Sequence, residues 1–526
     1  MSAADSPLAL RGIALIPRPT SIQVGSGTFL VDASATLDAA TAGGRVTDLL
    51  HAVVGDPLGL PFPDSAAGSE SAVSIVVTAG SADEDEAYRL EVTDDGIAVT
   101  ADSELGAMHA VQTLGQLLAG AAREAGGGWR LPHLQLADTP RFRWRGGMLD
   151  VSRHFMPVEF VLRFIDLLAA YKFTVLHLHL TDDQGWRLEV PGYPRLTEIG
   201  AWRPHTPVGH ARDQPADHEI HDHTPHGGYY STTDIERIVS HAWARGVEVV
   251  PEIDMPGHMQ AAIAAYPALG NLEPGNLEQP PPVRTQWGIS DHVLNLEPPT
   301  MAFCRDVIDA VVATFPGRYL HLGGDECPTE EWRTSPPTAR RLDELGLTPQ
   351  TAQNWFLYEV ARHAQDRGRR VIGWDEILDG GAIPAGTVVM SWRDEQGGLR
   401  AARSGHDVVM TPASHTYFDH HQGTDAATEP LSIGGPLDLR TVYHYEPIPA
   451  ALEPEFHSRV LGSQFQIWTE YIATPEQVEY MMFPRALALS EVLWSGRGDD
   501  DDFLDRRVPI HLARLAATGV DGRPGR

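Results

Sequence analysis

Cysteine is nearly absent from this 526-residue chain; only Cys304 and Cys327 occur. Two thiols exclude a disulfide framework and any zinc module built on cysteine, leaving room for one bridge at most. Positive charge is scarce as well, with 40 Lys+Arg against 71 Asp+Glu and a net charge of −31. So acidic a chain offers no basic patch for duplex nucleic acid or an anionic membrane, and neither is expected as a partner. No apolar run approaches the ~18 residues that cross a bilayer. The opening MSAADSPLALRG lacks the basic, then apolar, stretch of a secretory leader. The expectation is a cytoplasmic protein, or a secreted one whose leader is not part of this sequence. Aromatic residues, by contrast, are plentiful: 12 Trp, 13 Tyr and 15 Phe. That is a globular composition with length for a large core and roughly two to four domains.

Residues 1–140 read as a small α+β domain. Apolar runs at Ala14-Leu15-Ile16, 28–31, 73–77, 88–92 and 96–99 alternate with turns, and Asp94-Asp95-Gly96 is a hairpin signal. Leu105, Met108, Val111, Leu114, Leu117 and Leu118 recur at helical spacing. A turn at Ala137-Asp138-Thr139-Pro140 ends the unit.

From 141 the rhythm changes. Short β-branched runs at 144–150, 175–180, 247–253, 319–324, 370–374, 388–392, 408–411 and 463–468 are separated by amphipathic helical patterns. After 232, for instance, Thr233 and Glu236 predict a capping box, Ile235, Ile238, Val239 and Ala242 one apolar face, and Gly246 the stop. Eight β–α alternations predict an α/β fold, a (β/α)8 TIM barrel over 141–526.

In such a barrel the chemistry sits at the C-terminal ends of the strands. Those ends carry Asp150 and Arg153, Asp182, Asp254 and His258, Asp325-Glu326, Trp374, Trp392, Tyr417 and Asp419, and Trp468 and Glu470. Carboxylates that hydrogen-bond hydroxyls, among indoles that stack on C–H faces, suit a neutral sugar. Gly323-Gly324 is followed by Asp-Glu rather than Lys-Ser/Thr, so it does not cradle a phosphate. Adjacent carboxylates at a strand end raise one another's proton affinity, which keeps a general acid protonated near neutrality.

The sequence resembles the family 20 glycoside hydrolases, the exo-acting β-N-acetylhexosaminidases. The resemblance runs from about 13 to about 520 and rests on 149–155 (LDVSRHF), 177–187 (HLHLTDDQGWR), 251–258 (PEIDMPGH) and 321–326 (HLGGDE). Gly373-Trp374, Ser391-Trp392, Thr416-Tyr417-Phe418-Asp419 and Trp468-Thr469-Glu470 extend it. It implies retaining, substrate-assisted hydrolysis, in which the substrate's 2-acetamido oxygen is the nucleophile and an oxazolinium intermediate forms. By this resemblance Glu326 is the acid–base, Asp325 orients the acetamido group, Tyr417 bonds its oxygen, and Asp182 and His258 support the acid. Trp374, Trp392 and Trp468 wall the acetamido pocket, while Arg153, Asp419 and Glu470 bind the sugar hydroxyls. The implied partners are oligosaccharides or glycoconjugates with a terminal N-acetylhexosamine, GlcNAc or GalNAc, with no cofactor and no metal.

Two other readings stand beside this one: a metal-dependent hydrolase, and an inactive sugar-binding protein on the same barrel. His177-Leu178-His179 is the spacing by which two imidazoles share a strand face and ligate zinc. The metal reading leaves the strand-end tryptophans idle, and a binding protein has no need of Asp325, Glu326 and Tyr417 together. Six histidines between His205 and His226 match no defined metal spacing and read as a polar insertion at the pocket rim. Cys327 reads as a packing residue.

Overall fold

The computed structural model describes residues 13–65, 71–78, 85–213, 220–272 and 279–523. In the second barrel strand, Val175–His179, side chains alternate between two environments. Leu176 and Leu178 face the helical layer, whereas Val175 joins Val250, Ile372, Trp374 and Met390 inside the barrel. The same period of two governs the other strands, because successive side chains of a strand point to opposite faces. The eight strands are Trp144–Asp150, Val175–His179, Glu248–Glu252, Tyr319–His321, Arg370–Trp374, Val388–Ser391, Asp407–Met410 and Val460–Ile467. They pair in parallel and close into a barrel, first against eighth. All eight overlap the runs anticipated from sequence, the fourth ending three residues earlier and the eighth beginning three residues earlier.

The helix after strand two, Thr232–Trp243, buries Ile235, Ile238 and Ala242 as expected. Its capping box, however, is Ser231 with Asp234, two residues earlier than Thr233 and Glu236. Ser231 adopts the extended conformation an N-cap needs, and Asp234 accepts its backbone N–H at 2.9 Å. Gly246, at φ +71°, takes the left-handed turn that carries the chain into strand three.

The N-terminal sheet runs in the order Ser21–Val31, Trp129–Asp138, Tyr88–Thr93, Gly96–Ala101, Val73–Val77, Leu37–Asp38, with Ala122–Arg123 paired to 129–138. Helix Glu104–Ala119 packs on it through Met108, Val111, Leu114 and Leu118. Ala14-Leu15-Ile16 is not a strand, contrary to expectation. It is a buried segment whose carbonyls are taken by side chains: Arg507 donates to Leu15 O at 2.9 Å, and Gln116 to Ile16 O at 2.7 Å. The anticipated turn at 137–140 begins only at Thr139, because Ala137 and Asp138 still pair with Ser21 and Tyr88.

Sheet and barrel meet at the N-terminal ends of the strands through buried, mutually satisfied charge. Arg145 Nη1 donates to Glu86 Oε1 at 3.1 Å and His109 lies 2.7 Å from the same carboxylate. Lys172 donates to Asp138 at 2.9 Å, and the same acid accepts Tyr88 Oη–H at 2.6 Å and Trp494 Nε1–H at 2.7 Å. Among the described residues no helix is long and apolar enough to cross a membrane.

Candidate active site

The sharpest departure from regular structure lies after the fourth strand. Gly323 and Gly324 have φ of +63° and +91°, and Glu326, two residues on, is held at +44°. His258, on the loop after strand three, has φ +53°. Non-glycine residues at positive φ are costly and persist where surrounding structure imposes them. Here the two strained residues face each other: His258 Nε2 stands 3.6 Å from Glu326 and 3.9 Å from Asp325. Adjacent residues on a strand would diverge; this turn brings both carboxylates to one imidazole.

The two acids differ in exposure, with 35% of the Glu326 side chain open against 11% for Asp325. Glu326 looks onto an open cleft of about 370 Å³ lined by Ile289, Cys327, Gln353, Glu376 and Asp379. Asp325 lies deeper, and its Oδ1 is buried without a hydrogen-bond partner in the protein. Burial, together with Asp254 and Glu326 alongside, holds the Asp325 carboxyl well above the usual carboxylate range. Burial likewise lifts Asp254 to about 7 although it accepts the Gly324 N–H at 2.9 Å.

Behind His258, Asp182 accepts its Nδ1–H at 3.2 Å and forms an ion pair with Arg153 Nη2 at 2.8 Å. Burial alone would raise Asp182, but Arg153 and His258 hold it well below the carboxylate range. Desolvation opposes charge on His258 too; Asp182 overrides it and lifts the imidazole well above its ordinary value. Arg153 also donates to Asp150 at 3.2 Å and to Gln184 at 3.1 Å, with Glu470 at 3.9 Å. Asp150 in turn accepts the N–H groups of Ser152, Arg153 and Thr469, tying the ends of strands one and eight together.

Four rings form a continuous aromatic wall. Trp374 and Trp468 lie 6.0 Å apart, Trp468 and Tyr417 6.5 Å, and Tyr417 and Trp392 6.1 Å at 22° between planes. Trp374 is buried as a floor, whereas Trp392 and Trp468 are partly open. Trp392 donates its indole N–H to Glu376 at 2.8 Å; burial and the nearby Asp325 push that carboxyl up to about 9. Opposite, Asp419 and Glu470 crowd each other. Burial and this like charge keep Asp419 well above the carboxylate range, and its Oδ1 has no protein partner. Arg485 clasps the loop by donating to Phe418 O at 2.6 Å and His420 O at 2.8 Å.

All eleven residues singled out in the sequence therefore converge on one end of the barrel. In the sequence Asp150 and Asp254 stand only as strand-end carboxylates, His179 only as a ligand in the metal reading, and Glu252 and Glu376 have no role, although a charged residue inside a β-branched run, as in Val249-Val250-Pro251-Glu252, is itself a signal. The histidine-rich insertion lies on the rim: His210 stacks on Tyr471, the neighbour of Glu470, at 5.0 Å and 17°. His226 accepts the Phe155 N–H at 3.0 Å, and burial beside Arg203 pushes it down to about 2. His218 lies outside the described residues. Among the described residues three clusters bring ligand-type atoms within 4.8 Å: His177, Glu252 and His321; Asp182, Asp183 and His258; Asp254, His258 and Asp325. In each, imidazole already faces carboxylate.

Known proteins match the chain along both of its regions. The model of the glycosyl hydrolase family 20 catalytic domain matches residues 142–497, and that of the family's domain 2 matches 12–139. The chain belongs to glycosyl hydrolase family 20. It is a glycoside hydrolase. A β-hexosaminidase of Porphyromonas gingivalis is 37% identical over 97% of this chain, which spans 64% of that protein's length. The structure of an exo-β-N-acetylglucosaminidase from Vibrio harveyi in complex with N-acetylglucosamine superposes with a TM-score of 0.85 at 34% identity, covering 98% of this chain and 79% of that one. A Streptomyces plicatus N-acetyl-β-hexosaminidase bound to Thio-NAglucal gives 0.81 at 32%, with 99% and 97% covered.

Proposed function

We propose that this family 20 enzyme is a retaining exo-β-N-acetylhexosaminidase that removes terminal, non-reducing β-linked GlcNAc, or its epimer GalNAc, through an oxazolinium intermediate. The observation that carries the reading is Asp325 Oδ1, a buried acceptor without a protein partner beside the more open Glu326. An unpaired buried acceptor is costly unless a ligand donor meets it. The acetamido N–H is such a donor. It favours the ionised form of Asp325, which then balances the positive charge developing on the ring formed by the acetamido oxygen and the anomeric carbon. Tyr417 Oη–H donates to that acetamido oxygen, and Trp392 and Trp468, above the floor of Trp374, enclose its methyl group.

Glu326 gives its proton to the glycosidic oxygen as the bond to the anomeric carbon breaks. It then takes a proton from the water that opens the oxazolinium ring, which returns the product with retained configuration. The cleft beside Glu326 receives the departing group. Arg153, Asp419 and Glu470 hold the hydroxyls of the terminal sugar. Tyr471, next to Glu470, packs against His210 and Trp287 at 5.0 and 6.4 Å between ring centroids, and we assign to this rim the limiting of cleavage to one terminal sugar at a time. We divide the chain at 140/141 into accessory and catalytic domains.

The test compares initial rates on aryl β-glycosides of GlcNAc, GalNAc and glucose. Turnover of both acetamido sugars, or of one of them, with glucose inert, is expected. Equal turnover of glucose would reject participation of the acetamido group, as would equal inhibition by a thiazoline mimic of the intermediate and by its analogue lacking that group.

A further inference from the structure

Beneath the mouth runs a buried chain of acids and imidazoles that the reaction above leaves unused beyond its last two links. Its root is Glu252, the last residue of strand three and wholly removed from solvent. Glu252 Oε2 accepts from His179 Nδ1 at 2.5 Å and lies 3.0 Å from His177 Nε2. Its Oε1 accepts the Trp374 indole N–H at 2.9 Å, with His321 Nδ1 at 3.0 Å. His179 Nε2 reaches Asp182 Oδ2 at 3.0 Å, Asp182 Oδ1 accepts from His258 Nδ1 at 3.2 Å, and His258 Nε2 stands 3.6 Å from Glu326.

Both ring nitrogens of His179 face carboxylate oxygens, so both must donate, and an imidazole that donates twice is an imidazolium. The chain therefore runs Glu252 minus, His179 plus, Asp182 minus, and ends on His258, whose Nδ1 donates to Asp182 and which the surrounding carboxylates hold well above the ordinary imidazole value. Around it, His258 is faced also by Asp183 at 3.6 Å, by Asp325 and by Asp254; Asp182 is faced by Arg153; Glu252 by His177 and His321. A buried carboxylate persists only with donors on its oxygens, and removing it frees the groups it held.

We propose that Glu252 is a positioning residue for this reaction. One of its oxygens aligns the proton donor Glu326 through His179, Asp182 and His258, while the other fixes Trp374 under the acetamido pocket. A single carboxylate thus joins the two halves of the site, acid and pocket. The proposal rests on the reading of Glu326 as the acid.

The replacement Glu252→Gln keeps the size but puts an amide N–H₂ where an acceptor is needed. His179 then loses an acceptor and its reason to be charged, and the alignment of His258 toward Glu326 goes with it. The experiment measures kcat/KM on aryl N-acetyl-β-glucosaminides whose phenols range from strongly acidic nitrophenols to phenol itself. Poor leaving groups need the proton; good ones scarcely do. For Glu252→Gln we expect a loss of about tenfold or more on the phenyl glycoside and of only about twofold on the most acidic phenol. His179→Gln, which cuts the same chain one link on, should steepen the dependence likewise and carries the test if Glu252→Gln does not fold. Trp374→Phe, which cuts only the indole arm, should raise KM with the leaving-group dependence unchanged. A uniform loss across the series in the Glu252 and His179 variants, or no loss, would overturn the proposal. If Glu326→Gln itself leaves that dependence at the wild-type value, the assignment of the acid fails instead.

Discussion

Where the N-terminal sheet meets the barrel, Glu86 faces Arg145 and His109, and Asp138 faces Lys172, Tyr88 and Trp494; no fully buried polar atom of these side chains is left without a partner. At the mouth, Asp325 and Asp419 each keep a buried oxygen with no protein partner, and acids stand against acids. The two clusters are comparably buried and built from the same residue types. They differ in whether charge is cancelled within the protein. At the interface, opposite charges hold Glu86 down at about 2 despite its burial; at the mouth, burial and like charge lift Glu376 to about 9. The first arrangement serves folding. The second lowers stability and holds acceptors ready for a ligand.

Substitutions should separate the two clusters by which property they move. Glu326→Gln should cost about 10²- to 10⁴-fold in kcat on a phenyl glycoside, with a melting temperature at or above that of the wild type. Asp325→Asn should cost about 10²- to 10³-fold, mostly in kcat, because its charge acts most strongly in the transition state. Arg145→Met should do the reverse. It leaves Glu86 buried beside His109 alone and should lower unfolding free energy by roughly 3–5 kcal/mol in denaturant titrations, with kcat of the folded enzyme unchanged. A large activity loss in Arg145→Met with normal stability would dissolve the contrast.

Acid and base titration sharpen the same comparison with opposite slopes. The Glu86 pKa falls from 4.5 to about 2 on folding, so its contribution, roughly 3 kcal/mol, is complete above 4.5 and lost as pH falls through about 2. The stability gap between wild type and Arg145→Met should close over that window. Glu376 rises from 4.5 to about 9, so its protonated form favours folding fully below 4.5 and progressively less as pH rises through about 9. Glu376→Gln should therefore gain melting temperature over wild type as pH rises. A pH-independent difference would place the carboxyl's strain elsewhere.

The barrel was legible because its strands are short, β-branched and evenly spaced, and its chemistry because strand ends are where loops carry functional side chains. The accessory domain was harder. Strand 129–138 contains Pro132 and places polar residues between Leu131, Leu134 and Leu136, so its alternation is diluted; Ala14-Leu15-Ile16 is apolar for burial alone, its carbonyls served by Gln116 and Arg507. Glu252 and Glu376 escaped because each acts through another side chain. Only three-dimensional contact reveals that His179 answers to one and Trp392 to the other.

Gly323 carries a consequence for inheritance and engineering. A β-carbon there would fall 1.8 Å from Asp254 Oδ1 and 2.8 Å from Asp254 Cα, so a side chain at 323 collides with a neighbouring loop's backbone as well as its carboxylate. No single-codon change can enlarge 323 without displacing the loop that also bears His258. Lineages that drift at one position must drift at both, and a designer who wishes to move the acid has to redraw strands three and four as a single piece.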